Sequence, residues 1–257
     1  MVRAKKHLGQ HFLKNEEIAQ RIAQSLSGEG YQQVLEIGPG MGVLTQFLLQ
    51  APQTLKVAEI DTESVAYLEE HFPALHGNII PADVLKLKLE NYLSGPFALV
   101  GNYPYNISSQ IIFKMLDNYA RIPEMVGMFQ KEVAERLVAE PGSKTYGILS
   151  VLSAVYYHRE YLFTVEPQEF NPPPKVRSGV IRFTRKNEEV PGFQYKNLKM
   201  VVKMAFNQRR KTLRNALKGL NLALELWPDG LAGIRAEQLS HHDFVALTKA
   251  YENAGQS

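Results

Sequence analysis

At 257 residues the chain can bury a full hydrophobic core and carry a second, smaller domain. It contains no cysteine, which removes disulfides, thiolate metal sites and cysteine nucleophiles and suits a reducing cytoplasm. No run approaches the roughly 18 apolar residues of a membrane span, the opening residues do not read as a secretory leader, and the net charge of +3 is unevenly spread: residues 1–14 hold four Lys/Arg and no acid, residues 192–257 hold ten against five, and the middle is mildly acidic.

In chain order, residues 15–26 predict a helix with Asn15 as its N-cap. Residues 33–37 form a short apolar strand and residues 42–49 resume helical spacing. A second strand at 55–60 leads to a helix at 62–71, with Thr62 as the expected cap and acids in its first turns. Strands follow at 78–81 and 97–100, a helix at 108–116, a strand at 124–129 and a helix at 131–139. Near-continuous apolar strands alternating with helices mean a mostly parallel sheet covered on both faces. Residues 156–164 and 179–184 read as a late strand pair, suited to an antiparallel sheet edge. The pattern breaks over 186–192, in charges followed by Pro191-Gly192, so the domains are expected to divide into 1–188 and 189–257. Beyond the break the spacing is helical, at 196–206, 209–220, 222–227 and 240–251.

Glu36-x-Gly38-x-Gly40-x-Gly42 follows the first long strand directly. Glycines there permit unusual φ angles and let a ligand approach the backbone. A dinucleotide fingerprint wants Gly or Ala where this chain has Val43, and Pro39 lacks an N–H. The turn suits S-adenosylmethionine better, because that molecule has no pyrophosphate to cradle. Glu59, 17 residues beyond Gly42, ends the next strand, where an acid accepts from both ribose hydroxyls. Asp83 follows the third, where it can accept from an adenine amino group. Ile60 and Val84, the neighbours of these acids, join the expected cofactor contacts.

Asn102-Tyr103-Pro104-Tyr105 follows the fourth strand. An adenine amino nitrogen is a poor nucleophile, since its lone pair is delocalised into the ring. The Asn102 side-chain oxygen and the Pro104 carbonyl can accept both amino hydrogens, and such bonds strengthen as positive charge grows on nitrogen. Proline fixes its own φ, which pre-aims that carbonyl. Tyr105 is expected to stack on the base, and Phe170, before Asn171-Pro172-Pro173-Pro174-Lys175, is the candidate for its other face. A base held inside folded RNA must be extruded to reach such a pocket. No metal enters this chemistry. Arg209, Arg210, Lys211, Arg214 and Lys218 are expected on one helix, with Arg210, Arg214 and Lys218 along one face. With Arg3, Lys5 and Lys6 they form the candidate RNA-contact set.

Seven stretches carry a family resemblance: Lys6-His-Leu-Gly-Gln-His-Phe-Leu13, Leu35-Glu-Ile-Gly-Pro-Gly-Met-Gly42, Gly101-Asn-Tyr-Pro-Tyr-Asn-Ile-Ser108, Gln130-Lys-Glu-Val133, Lys144-Thr-Tyr-Gly147, Phe170-Asn-Pro-Pro-Pro-Lys-Val176 and Phe206-Asn-Gln-Arg-Arg-Lys-Thr-Leu-Arg214. Spread over nearly the whole chain, they closely resemble the bacterial small-subunit ribosomal RNA adenine dimethyltransferases of the KsgA type. The resemblance implies an α/β fold: a class I S-adenosylmethionine-dependent methyltransferase, Rossmann-like, plus a small all-helical C-terminal domain. It implies N6,N6-dimethylation of two adjacent adenosines near the 3′ end of 16S rRNA in an immature 30S subunit; nothing in the sequence demands more than a monomer, and the cytoplasm is the expected location. Family cofactor contacts map onto His11, Leu13, Gly38, Glu59, Asp83 and Asn102. Position 11 is usually Asn in the family, and His there can still donate a hydrogen bond. Position 103 is usually Leu; the larger Tyr103 is expected to narrow the pocket or add stacking. Two alternatives stand beside this reading, a non-catalytic small-subunit assembly checkpoint factor and a resistance-type 23S rRNA methyltransferase. The intact Asn102-to-Tyr105 segment favours chemistry over the first, and the 206–214 segment favours the small-subunit group over the second.

Overall fold

The computed structural model describes Val2, residues 4–186 and residues 192–255. Arg3 and the expected boundary between 188 and 189 lie outside the described residues. The elements, in chain order, are β1 (Phe12–Leu13), α1 (Glu16–Gln24), β2 (Gln33–Ile37), α2 (Thr45–Leu48), β3 (Thr54–Glu59), α3 (Thr62–His71), β4 (Ile79–Pro81), β5 (Phe97–Asn102), α4 (Ser108–Asp117), β6 (Glu124–Gln130), α5 (Lys131–Leu137), α6 (Ile148–Tyr156), β7 (Tyr157–Val165), β8 (Phe170–Asn171), β9 (Ser178–Arg185), α7 (Tyr195–Asn207), α8 (Leu213–Ala216) and α9 (His241–Ala254). They form two compact units, one holding the described residues through Ala134 together with Glu160–Arg185, the other holding Glu135–Arg159 and the described residues from Lys186 onward.

The first unit is built on a seven-stranded sheet of order β4-β3-β2-β5-β6-β9-β7 and includes β7 from Glu160 on. Strands β4 to β6 run parallel, and β9 pairs antiparallel with β6 from Glu124↔Thr184 to Gln130↔Ser178. The apolar runs explain this: Val34, Leu35, Ile37, Val57, Val100, Val126 and Met128 are all buried, as a sheet covered on both faces requires. β2 lies between β3 and β5, so the strand order reverses there. That switch point opens a crevice beyond the carboxyl ends of β2 and β5, where ligands bind in open α/β sheets. Asn15 caps α1 as expected, its side chain accepting from the Ile18 N–H at 3.2 Å. α3 is capped by Asp61 rather than Thr62: Asp61 holds the extended backbone of a cap and accepts from the Glu63 N–H at 3.1 Å.

In the second unit α6, α7 and α9 pack on one another. Val151, Leu152, Leu198, Val201, Val202, Phe244 and Leu247 close its core. α6 has no counterpart among the expected elements, and residues 135–159, expected in the first domain, belong to the second unit. Six of the nine side chains of α6 are apolar, with no polar stripe wide enough to mark a surface helix. The helix expected over 209–220 is also absent. Thr212 is extended and bridges Arg235, the Leu213 N–H donates to the Ile234 carbonyl at 2.8 Å, and only Leu213–Ala216 is α-helical. Among the described residues no helix is long and apolar enough to cross a membrane.

Candidate active site

Two adjoining clefts of the first unit open at the switch point and share Gln10, Gly38, Glu59 and Pro104. Gly38 continues the sheet, its N–H donating to the Ala58 carbonyl at 2.9 Å. At Gly38, Gly40 and Gly42 φ is +69°, +56° and +81°, all in the left-handed region that favours glycine. Their functions separate on what a Cβ would meet. At Gly38 it would project into the clefts, with Pro104 Cδ 3.8 Å away. At Gly40 it would strike the Phe12 ring at 2.7 Å, and at Gly42 the Phe72 ring at 2.3 Å.

Glu59 is buried, and backbone hydrogen bonds hold both its oxygens: Oε2 accepts from Gly40 N–H at 3.1 Å and Oε1 from Asp61 N–H at 2.9 Å. Burial raises its pKa, while those backbone bonds work against the rise. An ionised carboxylate has about four lone-pair sites, so each oxygen can take one further donor. The more apolar cleft is lined by Ile60, Val84 and Ile107, with Asp83 at its wall. Ile60 is 52% exposed, an apolar side chain left uncovered at a strand end. Asp83 lies two residues past β4, where its Oδ1 accepts from Leu85 N–H at 2.9 Å.

Asn102 ends β5, and its Nδ2 donates to the His11 carbonyl at 2.9 Å. That bond commits the amide nitrogen and leaves Oδ1 as the end able to accept from an amine. The Pro104 carbonyl takes a turn bond from Ile107 N–H at 3.1 Å and keeps a second lone pair. Tyr105 is half-buried, its hydroxyl 2.6 Å from Ser178 Oγ and its ring 5.5 Å from the His11 ring. His11 Nδ1 donates to the Pro172 carbonyl at 2.8 Å. Asn102, Pro104, Tyr105, His11, Gly38, Gly40 and Glu59 therefore converge on one cleft, and Ile60, Asp83 and Val84 on the other.

Other expected site residues lie elsewhere. Glu36 does not line either cleft: it is 1% exposed beneath the turn and accepts from Thr45 Oγ1 at 2.7 Å, and burial pushes its carboxyl up to about 8, against the Thr45 bond and with help from Glu59. Gly42 serves packing against Phe72. Leu13 and Phe170 pair across β1 and β8 and both belong to the core. Phe170 is 1% exposed and cannot present its face to a base; His11 is the ring beside Tyr105. Tyr103 lines the first cleft, but its ring is not free to stack there. Its side chain is 1% exposed and fills a slot between Gly101 and Gly127, where added Cβ atoms would lie 2.9 Å and 2.0 Å from its ring.

The basic residues divide as well. Lys5 pairs with Asp61 and Glu63 in the first unit and is not a free cation. In the second unit Arg209 Nε bonds Glu237 at 2.8 Å and its Nη2 bonds the Lys144 and Tyr146 carbonyls at 2.9 and 3.1 Å. Arg210, Lys211, Arg214 and Lys218 are exposed, but distributed over a turn and two short helices rather than one helical face. Lys6 is exposed in the N-terminal arm. Gln10, Phe12 and Ile107 line the clefts and were not singled out by sequence. The only signal for them is position: Gln10 and Phe12 flank His11, and Ile107 lies in the 101–108 stretch with Asn102.

The clefts fit S-adenosylmethionine. The Ile60, Val84 and Ile107 walls suit the faces of an adenine and Asp83 its amino edge, Glu59 suits a vicinal diol, and Gly38 leaves the space its missing Cβ would fill. Among the described residues no group of His, Asp and Glu side chains gathers as a metal site.

Known proteins share this fold. A dimethyladenosine transferase from Plasmodium falciparum superposes with a TM-score of 0.80 at 26% identity, over 95% of this chain and 98% of that one. The 23S rRNA methyltransferase ErmE shares the fold, with a TM-score of 0.70 at 24% identity over 94% of this chain and 99% of that one. Proteins named ribosomal RNA small subunit methyltransferase A are 56% identical in Flavobacterium johnsoniae, over 99% of this chain and 98% of the relative, and 56% identical in Bacteroides fragilis, over 99% and 94%. A family model described as ribosomal RNA adenine dimethylase matches residues 1–247. The fold is that of a class I methyltransferase, and the chain belongs to the ribosomal RNA adenine dimethylase family.

Proposed function

We propose that this enzyme transfers methyl groups from S-adenosylmethionine to N6 of two adjacent adenosines near the 3′ end of 16S rRNA, within an immature 30S subunit. The small-subunit name of relatives 56% identical over almost the whole chain supports that substrate over a 23S target. The carrying observation is the Asn102 amide, whose nitrogen is spent on the His11 carbonyl so that Oδ1 is left to accept.

S-adenosylmethionine supplies an electrophilic methyl group. The protein's own part is positioning and polarisation. Glu59, Asp83, Ile60 and Val84 hold the nucleoside end at two successive strand termini, and Gly38 admits it. Asn102 Oδ1 and the Pro104 carbonyl accept the two amino hydrogens of an extruded adenine and hold its nitrogen in line. Charge developing on that nitrogen strengthens both bonds, so they favour the transition state over the ground state. Tyr105, anchored by Ser178, offers its face to the base. The proton leaves after the methyl arrives, when the nitrogen is acidic, so water suffices as its acceptor.

The unit bearing the clefts is the catalytic one, and the helical unit supplies ribosome contacts through Arg210, Lys211, Arg214 and Lys218, with Lys6 as a further phosphate contact. The enzyme acts as a cytoplasmic monomer in this reading. The test offers undermethylated 30S particles and labelled S-adenosylmethionine to wild type and to Asn102→Ala. Wild type is expected to add about two methyls to each of two adenosines and the variant almost none; equal labelling refutes the role of Asn102.

A further inference from the structure

Asp61 is almost fully buried at the end of β3, one residue past Ile60, and every acceptor bond it makes can be named. Oδ1 accepts from Lys5 Nζ and from Glu63 N–H at 3.1 Å. Oδ2 accepts from Gln10 Nε2 at 3.1 Å and from Ser64 Oγ at 3.3 Å. Two of these donors belong to α3. The other two belong to the N-terminal arm, more than fifty residues away in sequence. The arm also ties to itself, since Lys5 N–H donates to Gln10 Oε1 at 2.8 Å, and Lys5 Nζ reaches Glu63 Oε1 at 3.1 Å. Between them Gly9 has φ +67° and passes so close to Asn106 that a Cβ would lie 2.7 Å from Oδ1. The residue after Gln10 is His11, whose carbonyl holds the Asn102 amide.

We propose that Asp61 is a positioning residue for methyl transfer: through Lys5 and Gln10 it clasps the arm over the clefts and so holds the His11 carbonyl that sets which end of the Asn102 amide faces the adenine. Ordering an arm of this kind costs conformational entropy; pairing of β1 with β8 and burial of Leu13 offset it from Phe12 on, and before that Lys5 and Gln10 are the polar anchors. With the His11 carbonyl displaced, the Asn102 amide loses the bond that tells its two ends apart. Half its orientations then present an N–H to an amine, an arrangement that repels. Loss of the clasp therefore appears in kcat. The burial of Asp61 disfavours its charge, yet the bonds from Lys5 and Gln10 more than offset this and its pKa is lowered, in keeping with a carboxylate engaged as an anchor.

This inference rests on the catalytic role given above to Asn102, and the experiment separates the two. Lys5→Met removes the cation that meets Asp61 without touching the cap of α3, and Asp61→Asn keeps a good N-cap while removing the charge. Each variant and the double variant are assayed as full-length protein, by amide hydrogen exchange without ligand and by steady-state methylation of undermethylated 30S particles. The expected result is exchange about tenfold faster over residues 5–12, kcat about tenfold lower, and a double variant no worse than either single. Unchanged exchange in Lys5→Met overturns the clasp. A raised KM for 30S particles with kcat and exchange unchanged also overturns it, since that is what a plain phosphate contact by Lys5 gives. Losses that multiply in the double variant overturn it too. If wild type fails to methylate the particles, the functional reading fails, while the exchange result still decides whether Asp61 holds the arm.

Discussion

The loop at 102–105 and the basic run at 209–218 are both chosen by residue spacing, yet they keep their expected geometry to different degrees. The loop inherits its place from the sheet. Asn102 pairs with Met128 in register, and Tyr103 N–H still bonds the Met128 carbonyl at 3.2 Å before the chain turns. The basic run has no such frame. A helix there must compete with the Thr212–Arg235 bridge and with the carbonyls of Lys144 and Tyr146 that claim Arg209. A strand end is fixed by the strand beside it, whereas helix continuation survives only where no tertiary partner offers the backbone better bonds.

The sharpest way to break this contrast is at the loop. Asn102→Ala is expected to lower kcat roughly 10²- to 10³-fold, as loss of one preorganised polar contact to a transition state does; binding of S-adenosylhomocysteine, measured calorimetrically, gauges how far the cofactor cleft survives. Beneath the neighbouring turn, Glu36→Gln is expected to change the pH dependence of stability. The unfolded chain ionises Glu36 above its ordinary value of 4.5, while the folded chain keeps the proton up to about 8, so wild type loses stability as pH rises through that window. The loss is roughly 1.4 kcal/mol per pH unit. Glutamine preserves an acceptor for Thr45 and removes the slope. Thermal midpoints that fall in parallel for both proteins between pH 5 and 8 contradict the burial argument.

In the basic run the expected effects are smaller and of different kinds. Arg209→Ala removes three bonds of an arginine with a half-exposed side chain and should cost the helical unit about 1–2 kcal/mol by denaturant unfolding, with little change in affinity for 30S particles. Arg210→Ala with Arg214→Ala should leave stability alone and reduce the salt dependence of particle binding by about one charge per residue removed. If Arg209→Ala instead flattens the salt dependence as the other two do, the division of the run into tie and contact is wrong.

The β2 span matches the expectation residue for residue, and α3 differs only in its cap. Their apolar periodicity is local, and the acids at 59 and 83 follow from where strands stop. What sequence could not show is direction. Glu36 has the composition of a ligand contact, but strand alternation turns it beneath the glycine turn to Thr45. Phe170 has the composition of a stacking ring, but pairing of β8 with β1 carries it into the core. α6 escaped because a nearly uniform apolar run has no period to detect. Asp61 is an acid just past a strand end with no local signal of its partner, and its meeting with Lys5 depends on tertiary structure alone.

The slot occupied by Tyr103 makes one position's freedom conditional on another's. Gly101 is obligate whatever stands at 103, because an added Cβ would also lie 2.6 Å from the Ile37 carbonyl oxygen. Gly127 is different: its closest obstruction is the tyrosine ring, at 2.0 Å, and the next is the Phe129 ring, at 3.1 Å. Alanine at 127 is thus barred while tyrosine is in place, so any route to a side chain at 127 must first shrink the one at 103.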